Sequence, residues 1–244
     1  MSRYSGPNPN ESSQRKLVVA PNRIVRSLWF RMKLVLQVYG ECGILVRGFG
    51  DSVRMRLLEL LEHRRPDGCV EFVGGYDSVL FLYEDQASPG SLREWLERCD
   101  LSGKTMDAGR GVRTIPVVYD GVDLEDVARQ AGMPVSEVIE RHTAPVYTVR
   151  MMGFAPGFPY LDGLDPALQL PRKASPRDRI EPGSVAIGGP HAGIYSVASP
   201  GGWHLLGQTQ VKLFNPDAAR SATIRAEEVF LLLPGDRLRF QAVE

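Results

Sequence analysis

The amino-acid sequence predicts an α+β protein in two parts, a small N-terminal α/β sandwich followed by a β-barrel. Three observations carry this. From Lys33 to Cys99, strand-like and helix-like apolar spacings alternate. Beyond Ala144, short apolar runs are punctuated by glycine and proline, with no helix of convincing length. Between the two patterns lies a polar, glycine-bearing stretch from Asp100 to Gly111, read as a linker. The expected organisation is an irregular or disordered extension at 1–32, a small α+β domain at 33–111 and a barrel domain at 112–244. A chain of 244 residues fits two domains of roughly 100 to 150 residues each.

Taken in order, the extension is rich in Ser, Asn, Pro and Arg and is expected to be disordered to about Arg23. Met32, one residue before the first strand, is an expected alternative start. KLVLQVYG and CGILVRGFG read as two strands about a turn at Gly40. Asp51 and Ser52 offer N-cap chemistry to a helix whose apolar residues Val53, Leu57, Leu60 and Leu61 recur at helical spacing. CVEFVGG and SVLFLYED follow as strands joined around Gly74, Gly75 and Asp77, and Ser88-Pro89 opens the helix GSLREWLERC. RTIPVVY restarts the strands. Asp123 is expected to cap the helix LEDVARQAG, and Pro134 to start VSEVIERH, forming a helical hairpin. The barrel strands are expected in VYTVRMMGF, SVAIGG, GIYSVAS, WHLLGQT, VKLF, VFLLL and DRLRFQAV.

Lys plus Arg and Asp plus Glu balance at 29 each, which argues against nucleic acid or an anionic membrane as partner. The basic head, seven cations to Lys33 against Glu11 alone, reads as a solvated tail rather than an interaction arm. Cys42, Cys69 and Cys99 show neither disulfide nor zinc spacing, no secretory leader precedes them, and no apolar run approaches membrane-spanning length. A cytoplasmic protein without a metal site is expected.

Three segments carry candidate chemistry. Gly153–Leu161, GFAPGFPYL, mixes glycine, proline and aromatics as neither a helix nor a central strand tolerates, so it reads as a stiff loop. Phe154, Pro156, Gly157 and Tyr160 are its candidate pocket residues; the alternative is a barrel plug whose rings only fill the core. In PRKASPRDRIEPGSV, Arg172, Lys173, Arg177 and Arg179 crowd a proline-stiffened loop. Arg172 and Arg177 are the candidate forks for a carboxylate or phosphate, against the commoner fate of solvated charge. In ASPGGWHLLG, Ser199, Gly201 and Gly202 would admit a ligand close to the backbone and Trp203 would cover it, although a tight turn needs the same glycines. His142 and His204 are candidate acid–base groups; a histidine at a helix end is also a common dipole partner.

Autonomous catalysis is poorly supported. PGSVAIGG has Ile187 where a nucleophile elbow needs its second glycine. There is no H-E-x-x-H, and no P-loop lysine at Walker spacing.

Together, His142 followed by Ala144-Pro145-Val146-Tyr147, then GFAPGFPYL, PRKASPR, PGSVAIGG, GIY and ASPGGWHLLGQT, resemble the family named for allophanate hydrolase subunit 1. That family includes the B-type component of bacterial 5-oxoprolinase, a sporulation-kinase inhibitor and half of the carboxyltransferase domain of urea amidolyase. The resemblance runs from about Lys33 to Glu244. It implies a cyclophilin-like barrel, His142 within the substrate-binding set, and a companion chain of the allophanate hydrolase subunit 2 type, which is the C-type component of 5-oxoprolinase. It further implies a third, A-type component and ATP used by the assembled complex to open a lactam, where phosphorylating the carbonyl oxygen would make the ring carbon open to water. Neither the serine-serine-lysine set of a true allophanate amidase nor a biotinylated lysine is present, so those activities would belong to other chains. Where the family usually reads Gly-Asp-Ser-Ala near the N-terminus, this chain has Gly40-Glu41-Cys42-Gly43. Two other functions share the motifs: a regulatory module that grips a histidine kinase, and a carboxyltransferase half-domain of a urea carboxylase system. Prolyl isomerisation rests on fold analogy alone.

Overall fold

The structure, a computed structural model, describes residues 33–101, 111–220 and 225–244. The expected extension at 1–32, with Met32, and most of the expected linker lie outside the described residues.

The first sheet has the order β1-β2-β4-β3, all antiparallel, built from β1 (Val35–Tyr39), β2 (Gly43–Arg47), β3 (Cys69–Gly74) and β4 (Ser78–Tyr83). Its pleat sends Ile44, Val46, Val79 and Phe81 to one face. There they meet Leu57, Leu58 and Leu61 of α1 (Asp51–His63) and Leu92, Trp95 and Leu96 of α2 (Pro89–Glu97) in one buried cluster. Ser88 caps α2 as expected, accepting from the Ser91 N–H at 3.3 Å, with Pro89 at the first helical position. Capping of α1 differs from expectation. Gly50 holds the cap position without a side-chain bond, and Asp51 instead pairs with Arg150 of the barrel.

A second cluster fills a closed barrel of seven strands in the order β10-β7-β6-β13-β5-β12-β9. These are β5 (Val112–Val118), β6 (Tyr147–Met152), β7 (Pro159–Asp162), β9 (Ser184–Gly188), β10 (His191–Ile194), β12 (His204–Gln208) and β13 (Arg237–Val243). The chain's last strand, β13, runs parallel to β5 over Arg237↔Val112 to Val243↔Val118 and antiparallel to β6. Helices α3 (Leu124–Ala131) and α4 (Val135–Thr143) bury Val127, Ala128 and Val138 against the barrel, and Gly132 ends α3 in the left-handed conformation at φ 69°. A two-stranded ribbon pairs β8 (Arg177–Ile180) with β11 (Ser199–Gly201).

Two expected strands are corrected. VKLF and VFLLL join no ladder; they meet at a single bridge, Phe214↔Phe230, flanked by bonds from Asn215 N to Val229 O and from Leu231 N to Leu213 O. A four-residue helix, α5 (Ala226–Val229), runs into the second of them, and Pro234-Gly235 turns the chain directly after it. Leu213 and Leu232 are nonetheless buried, so apolarity here reports core position rather than sheet pairing.

The two clusters touch through a buried arginine. Arg54 of α1 is fully buried; its guanidinium donates to Gly75 O at 2.9 Å and to Arg150 O in β6 at 3.0 Å. Arg150 lies over the Tyr76 ring, 4.6 Å from its centroid, and ion-pairs with Asp51 and Asp162.

Candidate functional site

The segment expected as a loop, Gly153–Leu161, is one only over 153–158; Pro159, Tyr160 and Leu161 belong to the barrel strand β7, paired on both sides, which corrects that expectation. Phe154 takes a left-handed φ of 70°, rare for a non-glycine residue, and stands 58% exposed. Pro156 contributes its carbonyl, which accepts from Ser196 Oγ at 2.6 Å, and Gly157 turns at φ 78° against Phe214. Phe158 is buried at the centre of a ring cluster, edge-to-face with Phe154, Tyr160, Tyr195 and Trp203 at centroid distances of 5.1 to 5.4 Å. Two glycines make room for these rings. A Cβ at Gly188 would stand 2.7 Å from Trp203, and one at Gly193 would stand 2.8 Å from Phe158 and 2.9 Å from Trp203.

The basic loop, 171–176, lies across Trp203 and the ribbon. Lys173 N donates to Gly202 O at 2.8 Å, and His204 Nε2 lies 2.9 Å from Pro171 O. The Arg172 guanidinium sits 5.7 Å from the Trp203 ring centroid, and no carboxylate among the described residues pairs with it. Arg177, expected as the main anion fork, is placed differently. Its Nη2 donates to Asp123 Oδ1 at 2.7 Å, Lys173 Nζ reaches the same oxygen at 2.8 Å, and Leu205 N donates to Oδ2 at 2.8 Å.

Asp123 is therefore a clamp rather than the helix cap expected from its position. It makes no cap bond to α3. Burial pushes its carboxyl upward, but the bonds from Arg177, Lys173 and the Leu205 amide outweigh that and hold it down to about 2. A carboxylate surrounded by two cations and a backbone donor gains more than one amide bond within its own helix would return.

Next to the clamp is a cleft of about 310 Å³ lined by Asp126, Gln130, Pro171, Arg172, Lys173, Ala174, Ser175 and His204. Asp126 is committed to Arg129 and Gln130. Among the described residues, Arg172 is the cation of this cleft that no carboxylate pairs with; the Trp203 ring beneath it is buried and is not part of the cleft wall.

The expected site residues thus divide. Phe154, Tyr160, Arg172 and Trp203 gather about the ring cluster, while Ser199, Gly201 and Gly202 lie on and beside the ribbon under the basic loop. Gly201 is required there, because a Cβ would collide with the Tyr195 hydroxyl. His142 stands apart. It is fully buried in the barrel, 2.7 Å from the Tyr119 hydroxyl through Nδ1 and stacked on Phe240 at 4.5 Å, and burial drives it down to about 3. Asp123 is the residue that sequence reasoning missed in this role. An acid before a helix reads as a cap, and its cationic partners lie 50 and 54 residues away. Among the described residues, no group of three or more His, Cys, Asp or Glu could hold a metal ion, and no helix is long and apolar enough to cross a membrane.

Residues 43–224 match the model of the carboxyltransferase domain, subdomain C and D. The chain is 47% identical over 178 residues to the B-type component of 5-oxoprolinase from Escherichia coli O157:H7, covering 70% of this chain and 77% of that protein. It is 41% identical over 216 residues to the B-type component of 5-oxoprolinase from Bacillus subtilis, covering 80% and 90%. Both relatives are named as subunits, which implies companion chains for them. Among solved structures, TTHA0988 superposes with a TM-score of 0.71 at 36% identity over 86% of this chain, which spans only 41% of that longer chain. The urea carboxylase of Kluyveromyces lactis shares the fold, with a TM-score of 0.64 at 22% identity over 87% of this chain and 22% of that one. By the match over residues 43–224 and by these identities, the chain belongs to the carboxyltransferase-domain family of subdomains C and D.

Proposed function

We propose that this chain is the B-type component of an ATP-dependent 5-oxoprolinase, which supplies part of the pocket for a small cyclic amide acid. The observation that carries the reading is Arg172, which lines the cleft and pairs with no carboxylate among the described residues. 5-Oxoproline is a five-membered lactam bearing a carboxylate, and an arginine fork suits the carboxylate. Relatives named as the B-type component of 5-oxoprolinase support the same reading.

In this reading the chain works in the cytoplasm with a C-type companion and a third, A-type chain, and ATP is a substrate of the assembled complex. Turnover by the chain alone is not expected. The test is co-purification with the products of neighbouring genes, followed by an assay of 5-oxoproline-dependent ATP hydrolysis. Activity in the assembled complex and none in the lone chain is the expected result; an assembled complex inert toward 5-oxoproline overturns the reading.

A further inference from the structure

The four-stranded sheet has two edges, and they are built differently. At β3 the register slips between Cys69 and Glu71, Glu71 places a charge inside the strand, and Arg65 Nη1 donates to Val70 O. A bulge, an internal charge and a covered carbonyl each hinder a further strand from pairing there. β1 has none of these. Its sequence, VLQVY, contains no charge, proline or glycine, and its register with β2 is unbroken from Val35↔Arg47 to Tyr39↔Gly43. No strand among the described residues pairs with its outer side, and Arg93 of α2 reaches only Leu34 O, one residue ahead of it. Val35, Val38 and Tyr39 stand 58%, 54% and 58% exposed, although Val38 lies on the helix side of the sheet, opposite buried Ile44.

We propose that the β1 edge is an interface between two copies of this chain, each β1 pairing antiparallel with its counterpart about a two-fold axis at Gln37. The strand is self-complementary in that register. On the helix side, Leu36 of each copy meets Val38 of the other. On the open side, Val35 meets Tyr39, a β-branched residue against an aromatic one, and the single polar side chain, Gln37, meets itself. A slip by one residue sets Gln37 against Leu36 or Val38 and moves the helices of the second copy to the other side of the sheet. Charge agrees with the same register: exposed Lys33, ahead of the strand, falls opposite exposed Glu41, in the turn after it, at both ends of the interface. The result is one eight-stranded sheet in which the most exposed apolar residues of β1 are covered and its free backbone groups are paired. This assignment is independent of the 5-oxoproline reading.

The test is the oligomeric state of the full chain by sedimentation equilibrium at micromolar concentration, for wild type, Gln37→Lys, Gln37→Glu and an equal mixture of the two variants. Gln37 is exposed, so neither variant disturbs the core. Wild type is expected to be a dimer. Each variant alone sets like charges against one another at the axis and should raise the dimer dissociation constant by about tenfold or more. The mixture should restore the dimer, because lysine then meets glutamate. Lys33→Glu should weaken it, and Lys33→Glu combined with Glu41→Lys should recover it. A monomeric wild type overturns the proposal. So does a dimer indifferent to both charges, whose interface then lies elsewhere, and so does a dimer weakened by both but not restored by mixing. A monomeric wild type whose binding of the companion chain falls in Gln37→Lys gives the β1 edge to that chain and equally overturns the proposal.

Discussion

Arg177 and Asp123, 54 residues apart in the chain, are joined by a 2.7 Å hydrogen bond between Nη2 and Oδ1 that ties the start of β8 to the start of α3. The Asp123 side chain is only 4% exposed, while that of Arg177 keeps 28% of its surface. Removing the carboxylate would leave two cations without their shared partner. Asp123→Ala is expected to destabilise the protein by roughly 3 kcal/mol, the low end for a broken buried pair because both cations still reach water. Arg177→Ala should also lower the thermal midpoint. A melting curve unchanged in both variants would show that the clamp contributes nothing.

Arg172 should behave in the opposite way. Arg172→Ala is expected to leave the thermal midpoint nearly unmoved, since an exposed charge contributes on the order of 0 to 1 kcal/mol. Ligand affinity or rate should fall about ten- to a hundredfold through the loss of a charge-assisted bond worth roughly 1.5 to 3 kcal/mol. Lysine should restore it only in part, because it keeps the charge and loses the fork. Full activity of Arg172→Ala in the assembled complex would refute the anion site.

The contrast between these two arginines shows where sequence reading reaches and where it stops. The helices and most ladder strands were legible because their signals are local: spacing in α1, a Ser-Pro start in α2, a glycine end in α3. The glycine- and proline-rich segments were legible as loops only in part, because Pro159–Leu161, Arg177–Ile180 and Ser199–Gly201 take up strand pairing that their composition hides. Which arginine is free depends on a residue 50 or more positions away, and no local pattern carries that. VKLF and VFLLL failed differently, because burial of Leu213 and Leu232 gives the same apolar run as a strand. His142 was read for its chemistry, while its neighbours Tyr119 and Phe240 come from distant parts of the chain and close it off.

His142 predicts an acid weakness. Its folded pKa lies at about 3 against an ordinary 6.5, so between those values the unfolded chain binds the extra proton and stability falls as pH falls. Asp123, held at about 2, contributes stability above its ordinary range near 4 that is lost as pH drops through about 2. His142→Phe should flatten the denaturant midpoint between pH 6.5 and 4 while leaving the steeper loss below pH 4. A wild-type midpoint constant from pH 7 to 4 would contradict the buried neutral histidine.

Gly188 offers a test of the ring cluster. Gly188→Ala places a methyl 2.7 Å from the Trp203 ring and should cost roughly 1 to 3 kcal/mol through overpacking. Because Trp203 carries Arg172, ligand affinity should fall as well, with a change in tryptophan fluorescence. Unaltered fluorescence and affinity would mean that the indole position does not matter to the site.

Two separate apolar clusters also predict that residues 111–244 expressed alone form a cooperatively melting barrel, of reduced stability because the contacts of Arg150 with Asp51, Arg54 and Tyr76 are lost. A fragment without a melting transition would show that the two clusters fold as one unit.

The position of β13 governs when this molecule can become itself. β5, the barrel strand synthesised first, has β13 as its parallel neighbour along its whole length, and β6 borders β13 on the other side. While a ribosome is still building the chain, the seam between β5 and β6 stands open, with two unpaired strand edges and an apolar interior exposed to water. Closure waits for β13, through contacts of long sequence separation that form slowly. Variants lacking part of β13 should therefore accumulate as aggregates rather than as a smaller folded protein.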